Sequence, residues 1–280
     1  MNFDRRITPA RPDLAAAHLK GQIEAEAYAE GEVQRVTLPS APLRRDPAPD
    51  APYETEALAG ELVTVYEDME GWAWVQLARD GYVGWMSGNA LGPAAPAPTH
   101  RVTALRSLIY PGPGFKAEPV ATLSIGAEIT VTRMEGLWAA TPLGFIYGAH
   151  LVPVAEFAPD FVAVAEQFIG TPYLWGGKSS LGIDCSGLVQ LSLAMAGIQA
   201  PRDSDMLESG FGTALPLGTN DLQRGDLVFW KGHIGIMRDA VTLLHANAHH
   251  MAVASEPLAE AVARIEAKSF GVITNLRRPI

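Results

Sequence analysis

The chain has 280 residues, of which 48% are apolar and 19% charged, and it carries a formal net charge of −10. This length can bury one large core or two to three small ones, and the composition is that of a globular protein. The negative charge, without a long run of Lys or Arg, argues against a nucleic-acid or anionic-membrane partner.

The first residues and the cysteine count indicate where the protein works. Residues 1–20 contain no apolar segment of the kind found in signal peptides, and no part of the chain approaches the roughly 18 apolar residues of a membrane-spanning helix. The single cysteine, Cys185, cannot form an internal disulfide, so the chain needs no oxidising compartment. We therefore expect a cytoplasmic protein, with a non-classical export route left open.

The first predicted element is an N-terminal arm over residues 1–31. Its Ala-rich segment, Leu14 to Leu19, is compatible with a helix because alanine and leucine have high helix propensity. We expect this arm to be helical and to precede the first folded domain.

Two blocks of short predicted strands follow, at residues 32–92 and 100–153. Each contains a strand that opens with glycine and carries tryptophan, Gly71 to Trp74 and Gly136 to Trp138, and then a Gly-aromatic strand after a turn. This internal repeat predicts two small all-β barrels. Residues 93–99 are rich in Pro and Ala without apolar periodicity, which is typical of a linker.

Residues 154–280 combine helical and strand patterns, which predicts a domain of the α+β class. Apolar residues at positions i, i+3, i+4 and i+7 from Phe161 to Phe168 indicate a helix, and a second helix follows Cys185 and ends at Gly197. Short strands come next, and Pro257 opens a later helix.

Cys185 lies where a Gly-rich stretch meets its predicted helix, between Asp184 and Ser186. At a helix N-terminus the unpaired backbone N–H groups and the macrodipole favour a thiolate over a thiol. The sequence therefore predicts a nucleophile with a lowered pKa. A lone cysteine is otherwise a small buried apolar residue without a chemical role, and its polar neighbours and two later histidines favour the first interpretation.

Those histidines, His233 and His245, lie in short strand-like runs on either side of a predicted turn at residues 238–240. Their separation of 12 positions (245 minus 233) suits adjacent antiparallel strands with both side chains on one face. Packed against the helix that begins at Cys185, they complete a nucleophile, a base and a residue that orients the base. In this arrangement His233 accepts the thiol proton and His245 fixes its tautomer.

These residues belong to separated motifs in a recognisable order. Residues 170–177 read Gly-Thr-Pro-Tyr-Leu-Trp-Gly-Gly, residues 184–187 read Asp-Cys-Ser-Gly, residues 224–229 read Arg-Gly-Asp-Leu-Val-Phe, and His233 lies in Gly-His-Ile-Gly-Ile. From near Ala155 to its last residue the sequence resembles the NlpC/P60-type cell-wall cysteine peptidases, a circularly permuted, papain-like family.

The resemblance implies a papain-like α+β fold for the catalytic domain and assigns roles within it. Cys185 is then the nucleophile, His233 the base and His245 the third member of the triad, while the Tyr173 hydroxyl helps to hold the oxyanion. The two β blocks resemble the bacterial SH3-like domains that commonly accompany this peptidase domain. The sequence thus predicts a multi-domain protein in which two small all-β SH3-like barrels precede the catalytic domain.

The same resemblance implies a set of residues that bind a free amino terminus of the substrate. For Asp184 the alternative of a plain helix N-cap stays open, and for Glu56 the neighbouring Glu54 and Glu61 are alternatives. The expected substrate-binding residues are Asp184, Ser186, Trp175 and Ser204 of the catalytic domain, with Tyr82 and Glu56 of the first barrel.

The resemblance implies a cysteine peptidase that cleaves the γ-D-Glu to diamino acid bond of murein stem peptides with a free N-terminal L-Ala, in cell-wall peptide recycling. A general murein endopeptidase or amidase, and a non-catalytic wall-binding SH3-like protein, are the alternatives. Whether the diamino acid is diaminopimelate or lysine stays open, as does the oligomeric state.

No cofactor and no metal are expected. His249 and His250 lie close to His245 in the sequence, but the chain has no His-Glu-x-x-His pattern and adjacent histidines point to opposite faces of a strand. The expected partners are therefore murein peptides alone, without nucleic acid or membrane.

Overall fold

The computed structural model describes residues 3–219 and 221–279 of the chain. The chain forms two compact units, one that ends at Glu156 and one that begins at Phe157. The first unit consists of strands joined by short 3-10 turns, whereas the second combines helices and strands. Within the described residues, no helix combines the length and the apolar character that crossing a membrane requires.

The N-terminal arm differs from its prediction. Residues 12–30, all of them described, form the short parallel strands β1 (Leu14–Ala16) and β2 (Ala27–Ala29) around a single 3-10 turn. The predicted helix is therefore wrong. Its Ala-rich segment lies between Pro12 and Gly21 and is shorter than the roughly 12 to 15 residues that an isolated helix needs.

The first β block forms one antiparallel sheet. Its strands are β3 (Glu32–Val36), β4 (Ser40–Arg44), β5 (Tyr53–Leu58), β6 (Leu62–Met69), β7 (Trp72–Leu77), β8 (Val83–Ser87) and β9 (Leu91–Pro93). They pair in the order β5-β4-β8-β7-β6-β3-β9. A Glu-Gly turn joins β6 to β7, with Glu70 and Gly71 in the left-handed region at φ of 52° and 83°. Val63, Val75 and Met86 lie in the apolar core of this block.

The second β block repeats part of the first. Its strands are β10 (His100–Val102), β11 (Arg106–Tyr110), β12 (Ala121–Ser124), β13 (Glu128–Ile129), β14 (Arg133–Glu135), β15 (Trp138–Thr141), β16 (Gly144–Tyr147) and β17 (Leu151–Pro153). The hairpin β15–β16, a 3-10 turn and β17 follow the same order as β7, β8, a 3-10 turn and β9. Both blocks are all-β, and in the part of the chain described here their strands pair as open sheets without a closed barrel.

The second unit has the predicted α+β character. Its elements are α1 (Phe161–Glu166), β18 (Lys178–Ser179), β19 (Gly182–Ile183), α2 (Cys185–Met195), α3 (Ser204–Gly210), β20 (Thr213–Leu215), β21 (Leu227–Trp230), β22 (His233–Met237), β23 (Thr242–Asn247), β24 (Ala252–Pro257), α4 (Leu258–Lys268) and β25 (Asn275–Arg278). An antiparallel sheet has the order β20-β25-β21-β22-β23-β24. Helix α2 packs against β22 and β23, and α4 packs against β23 and β24. Helices α2 and α4 therefore pack on strands β22 to β24, which carry residues of the candidate site.

The motif at residues 224–229 stabilises this unit through ion pairs. Asp226 is buried and accepts hydrogen bonds from the Arg278 guanidinium, at 2.8 Å from its Nε. Arg224 binds Glu166 at the end of α1. These pairs attach β25 and α1 to the start of β21, so this motif supports the sheet and supplies no reactive group.

Candidate active site

Cys185 is the first residue of α2, and Asp184 caps that helix. Oδ1 of Asp184 accepts a hydrogen bond from the Gly187 N–H at 2.6 Å. A Cβ atom on Gly187 would lie only 2.4 Å from the Gly177 carbonyl oxygen, so glycine allows the first turn of α2 to pack against the preceding segment. The sequence Asp-Cys-Ser-Gly thus places the sulphur atom at the N-terminus of a buried helix.

Arg202 neutralises Asp184 from inside the protein. Arg202 is 1% exposed, and its terminal nitrogens donate to the Asp184 oxygens at 3.0 and 2.7 Å and to Ser186 Oγ at 2.8 Å. The Gly176 N–H donates to the same carboxylate at 2.9 Å. Asp184 therefore has its counter-ion in place, and its burial does not by itself require an ammonium group from a substrate. Arg202 was not anticipated from the sequence, because nothing local in Pro201-Arg202-Asp203 shows that this guanidinium is buried.

The two histidines come together on one face of the sheet. β22 and β23 pair antiparallel, and their register places His245 diagonally from His233 on the same face, two residues along β22 from the position directly opposite. His233 Nε2 and His245 Nδ1 are 2.8 Å apart, and both rings are buried. The Ile234 N–H hydrogen-bonds to the sulphur atom of Cys185. The thiol therefore lies at the end of β22 that carries His233.

Two residues not anticipated from the sequence, Glu256 and Arg264, extend this chain of hydrogen bonds. His245 Nε2 lies 2.8 Å from Glu256 Oε1. Arg264 donates to both oxygens of the same carboxylate, at 2.6 Å from its Nη2 to Oε1. Since Glu256 lies in β24 and Arg264 in α4, the packing of α4 on the sheet holds this carboxylate against the histidine pair.

The Glu256 carboxylate sets the proton positions of both imidazoles. Burial tends to raise the pKa of Glu256, but hydrogen bonds from His245 and Arg264 outweigh it and hold the pKa below its ordinary value. An ionised carboxylate only accepts hydrogen bonds, so His245 carries its proton on Nε2 and accepts at Nδ1. His233 must then donate from Nε2, which leaves its Nδ1 unprotonated and able to accept the thiol proton.

Burial dominates the protonation of the reactive pair. Burial, followed by the Asp184 charge, raises the pKa of the Cys185 thiol to about 12. Burial, followed by the neighbouring His245, lowers the pKa of His233 to about 3. The lowered thiol pKa expected from the helix terminus is therefore wrong for the substrate-free site, in which burial favours the neutral thiol and the neutral imidazole.

Three other expected residues lie in the same unit. Tyr173 is half-buried, and burial, followed by the charges of Cys185 and Asp184, raises the pKa of its hydroxyl, so the hydroxyl is protonated and able to donate. Trp175 is 69% exposed and presents an aromatic surface to solvent. Ser204 is the first residue of α3.

Tyr82 and Glu56 lie in the first unit, and both are buried there. Tyr82 belongs to the apolar core of the first β block, and its hydroxyl donates to Glu54 Oε2 at 3.4 Å. Glu56 accepts a hydrogen bond from the Tyr53 hydroxyl at 3.1 Å. Glu54 and Glu56, two of the three acidic residues considered for this role, therefore each bind a tyrosine hydroxyl.

One group of side chains in the second unit has the composition of a metal site. His245, His250 and Glu256 place possible ligand atoms within 4.8 Å of one another. Arg264 binds the Glu256 carboxylate, and its positive charge opposes a cation at this point. A metal on His245 Nε2 would also displace the hydrogen bond that fixes the histidine tautomers. These residues fit the hydrogen-bond chain and fit a metal poorly.

Each of the two units contains a segment that matches a known protein family. Residues 43–91 match the bacterial dipeptidyl-peptidase Sh3 domain, and residues 170–266 match the NlpC/P60 family. The gamma-D-glutamyl-L-lysine dipeptidyl-peptidase of Bacillus subtilis (strain 168) is 30% identical over 218 residues, which cover 69% of this chain and 72% of the relative. The protein of the same name from Bacillus cereus is 26% identical over 224 residues, 71% of this chain and 64% of the relative.

The fold has a solved counterpart. The crystal structure of an NlpC/P60 family protein from Bacillus cereus ATCC 10987 superposes with a TM-score of 0.73 at 20% sequence identity. The alignment covers 89% of this chain and 99% of that protein. The likeness shows that the two chains share their fold.

Proposed function

The chain belongs to the NlpC/P60 family of cysteine peptidases, and on this premise we propose that it hydrolyses the γ-D-Glu to diamino acid bond of murein stem peptides with a free N-terminal L-Ala. The observation that carries the proposal is the chain of hydrogen bonds from Arg264 through Glu256 and His245 to His233, beside the single cysteine. Two relatives support the choice of bond, since both are named for the γ-D-glutamyl-L-lysine linkage and for release of a dipeptide.

In the proposed reaction Cys185 is the nucleophile and His233 the general base. As the sulphur attacks the carbonyl carbon of the γ-glutamyl bond, the thiol proton moves to His233 Nδ1. The resulting imidazolium is stabilised through Nε2 by His245 and, behind it, by the Glu256 carboxylate. The Tyr173 hydroxyl and the backbone N–H groups at the start of α2 stabilise the developing oxyanion.

Collapse of the tetrahedral intermediate breaks the C–N bond. His233 gives its proton to the departing amine of the diamino acid, and the L-Ala-γ-D-Glu acyl group stays on Cys185 as a thioester. The same imidazole then takes a proton from water, whose oxygen attacks the thioester carbonyl. Breakage of the C–S bond releases the dipeptide and restores the thiol.

We extend the proposal to the domain organisation. Residues 1–31 form an N-terminal arm, 32–92 and 100–153 two SH3-like domains joined by the linker 93–99, and 154–280 the peptidase domain. The repeated order of hairpin, 3-10 turn and short strand in the two β blocks supports the second SH3-like domain. The boundary between the compact units after Glu156 supports the start of the peptidase domain.

The residues that hold the substrate amino terminus are part of the same proposal. Asp184 and Ser186, which flank Cys185 and are held in place by Arg202, would present polar groups to the substrate amino terminus. Trp175 offers an aromatic surface. The proposed set is completed by Ser204 at the start of α3 and, from the first SH3-like domain, Tyr82 and Glu56.

A comparison of free and blocked substrates tests this function. We expect kcat/KM for L-Ala-γ-D-Glu-diamino acid to exceed that for the N-acetylated peptide about 10- to 100-fold, since acetylation removes the ammonium charge and adds bulk at the end that a dipeptidyl peptidase must enclose. The internal counter-ion of Asp184 keeps the expected factor below that of an unpaired buried carboxylate. Products are identified by mass. Equal cleavage of the two peptides would favour a general murein endopeptidase.

The protonation of the reactive pair predicts an unusual alkylation profile. The rate of inactivation by iodoacetamide should be nearly constant from pH 5 to 8, because the reacting species is the neutral pair, in which His233 takes the thiol proton during the attack. The population of this pair does not change between the His233 pKa of about 3 and the Cys185 pKa of about 12. An ordinary thiol, with a pKa near 8.5, reacts about tenfold faster for each added pH unit below that value.

Solvent deuterium distinguishes a neutral pair from a thiolate–imidazolium pair. In the neutral pair the thiol proton moves to His233 as the carbon–sulphur bond forms, so we expect alkylation to be slower in D₂O. Free cysteine, measured as its preformed thiolate at high pH, is the control and should show little effect. A rate unchanged in D₂O would contradict the neutral resting state.

A further inference from the structure

A cavity of about 300 Å³ opens beside His233 and His245 in the second unit. It lies between the turn that follows β23 and the C-terminal part of α4, and it reaches both His233 and His245. Phe270 stacks on the His233 ring with centroids 5.4 Å apart. The other residues that the argument uses are His249, Arg264 and Lys268.

The lining of this cavity is cationic. Arg264 and Lys268 both border it, and no acidic side chain is among the described residues that do so. The Arg264 charge is shared with Glu256 behind the cavity wall, whereas Lys268 is exposed at the last residue of α4. Desolvation, followed by the Arg264 charge, lowers the pKa of His249, and the Lys268 charge acts in the same direction.

The chemistry of acyl transfer determines which part of the substrate reaches this cavity. The general acid His233 must lie within hydrogen-bond reach of the departing amine, so the substituents of that amine surround the His233 ring. The acyl part of the substrate is attached to Cys185 on the other side. If the proposed function holds, the diamino acid lies next to the cavity, and the L-Ala-γ-D-Glu part does not.

We propose that this cavity is the subsite for the released diamino acid and that its cations bind a carboxylate of that residue. Lysine offers a side chain that ends in an ammonium group alone, which Lys268 and Arg264 repel. Diaminopimelate ends in a carboxylate beside an ammonium group, and the carboxylate can pair with Lys268. The chain therefore prefers diaminopimelate at the third stem position, in contrast to the lysine in the names of its two relatives.

Two carboxylates of the leaving residue have this chemistry, the one at its α-carbon and the one at the end of its side chain. The test uses L-Ala-γ-D-Glu followed by meso-diaminopimelate or by L-Lys, each as the free α-acid and as the α-amide. All four peptides are assayed with the full-length enzyme and with Lys268→Met and Lys268→Glu. Lys116→Glu, an equivalent charge reversal at an exposed lysine of the first unit, is the matched control.

We expect the wild type to prefer diaminopimelate, and Lys268→Met to lower kcat/KM for the diaminopimelate peptides about 3- to 10-fold while the lysine peptides change less than about 2-fold. Lys268→Glu should raise kcat/KM for the lysine peptides, and about 0.5 M salt should reduce the wild-type preference. If substitution of Lys268 instead removes the difference in kcat/KM between the α-acid and the α-amide, the cavity binds the α-carboxylate, which both diamino acids carry. The carboxylate subsite then stands, and the preference for diaminopimelate is overturned.

Failure of this inference differs from failure of the proposed function. Two results would overturn the carboxylate subsite while the peptides are still cleaved. In the first, the substitutions of Lys268 change neither the diaminopimelate-to-lysine ratio of kcat/KM nor the α-acid-to-α-amide ratio. In the second, Lys116→Glu changes these ratios equally. If no peptide is cleaved by the wild type, the proposed function itself is wrong.

Discussion

Replacing Cys185 by alanine is expected to abolish hydrolysis, with kcat at least about 10⁴-fold below the wild type, while the fold is retained. In the proposed reaction the sulphur atom forms the bond to the substrate carbonyl, and the chain contains no second cysteine that could replace it. The N-cap of α2 depends on the Asp184 carboxylate and the Gly187 N–H, which the substitution leaves in place. Dipeptide release is followed by mass and folding by circular dichroism and thermal unfolding.

Ser192→Ala provides a matched control for this experiment. Ser192 is fully buried in the same helix, and its substitution also removes one γ heteroatom from α2. We expect this variant to keep its activity, so a loss confined to Cys185→Ala reports on the nucleophile and not on the packing of α2. More than a few per cent of wild-type activity in Cys185→Ala would show that another group performs the attack.

The positions of Cys185, His233 and His245 in the fold were predictable because each residue lies in a local pattern. Asp184 before an apolar run marks a helix start, and that start is where α2 begins. The runs around His233 and His245 have strand-like composition with a turn between them, and antiparallel pairing then fixes which side chains share a face. Patterns of this kind specify neighbours within an element or across one turn.

The partners behind these residues could not be predicted in the same way. Arg264 lies in a helix that packs on the sheet, and Arg202 lies in a loop, so both reach their carboxylates through tertiary contacts that leave no periodic signal. Glu256 had a usable signal: in β24 it lies two positions beyond Ala254, which pairs with His245, and so it shares the face of that histidine. Recognition of residues 252–257 as a strand would have revealed it.

The thiol pKa illustrates the same division between local and tertiary effects. A helix N-terminus lowers the pKa of a cysteine through groups that are adjacent in the sequence. The depth at which the α2 terminus is buried depends on the packing of α2 against β22 and β23, which the sequence around Cys185 does not show. In this protein the burial effect is the larger of the two, and it raises the Cys185 pKa.

Replacing Glu256 by glutamine is expected to lower kcat about 10²- to 10³-fold, because it removes the negative charge that stabilises the histidine pair and fixes its tautomers. Glutamine keeps the shape of glutamate but has one oxygen and one NH₂ group in place of two oxygens. Arg264 donates to both oxygens of the carboxylate and His245 Nε2 shares one of them, so neither orientation of the amide satisfies all three donors. The neutral amide therefore no longer fixes the proton on His245 Nε2, and it supplies no negative charge to stabilise the His233 imidazolium.

The double variant E256Q/R264M separates this tautomer effect from a packing effect. Without the guanidinium the amide can turn its oxygen toward His245 Nε2, which restores the original proton positions, so kcat should rise at least about 10-fold above that of Glu256→Gln alone. Arg264→Met by itself should cost only a few-fold at neutral pH, because loss of the guanidinium lets the Glu256 pKa rise only toward its ordinary value, near 4.5, and the carboxylate stays ionised. Imidazole ¹⁵N chemical shifts of His233 and His245 report the tautomers directly in each variant. If Glu256→Gln kept kcat within about 3-fold of the wild type with unchanged shifts, Glu256 would act through packing alone and the positioning role would be refuted.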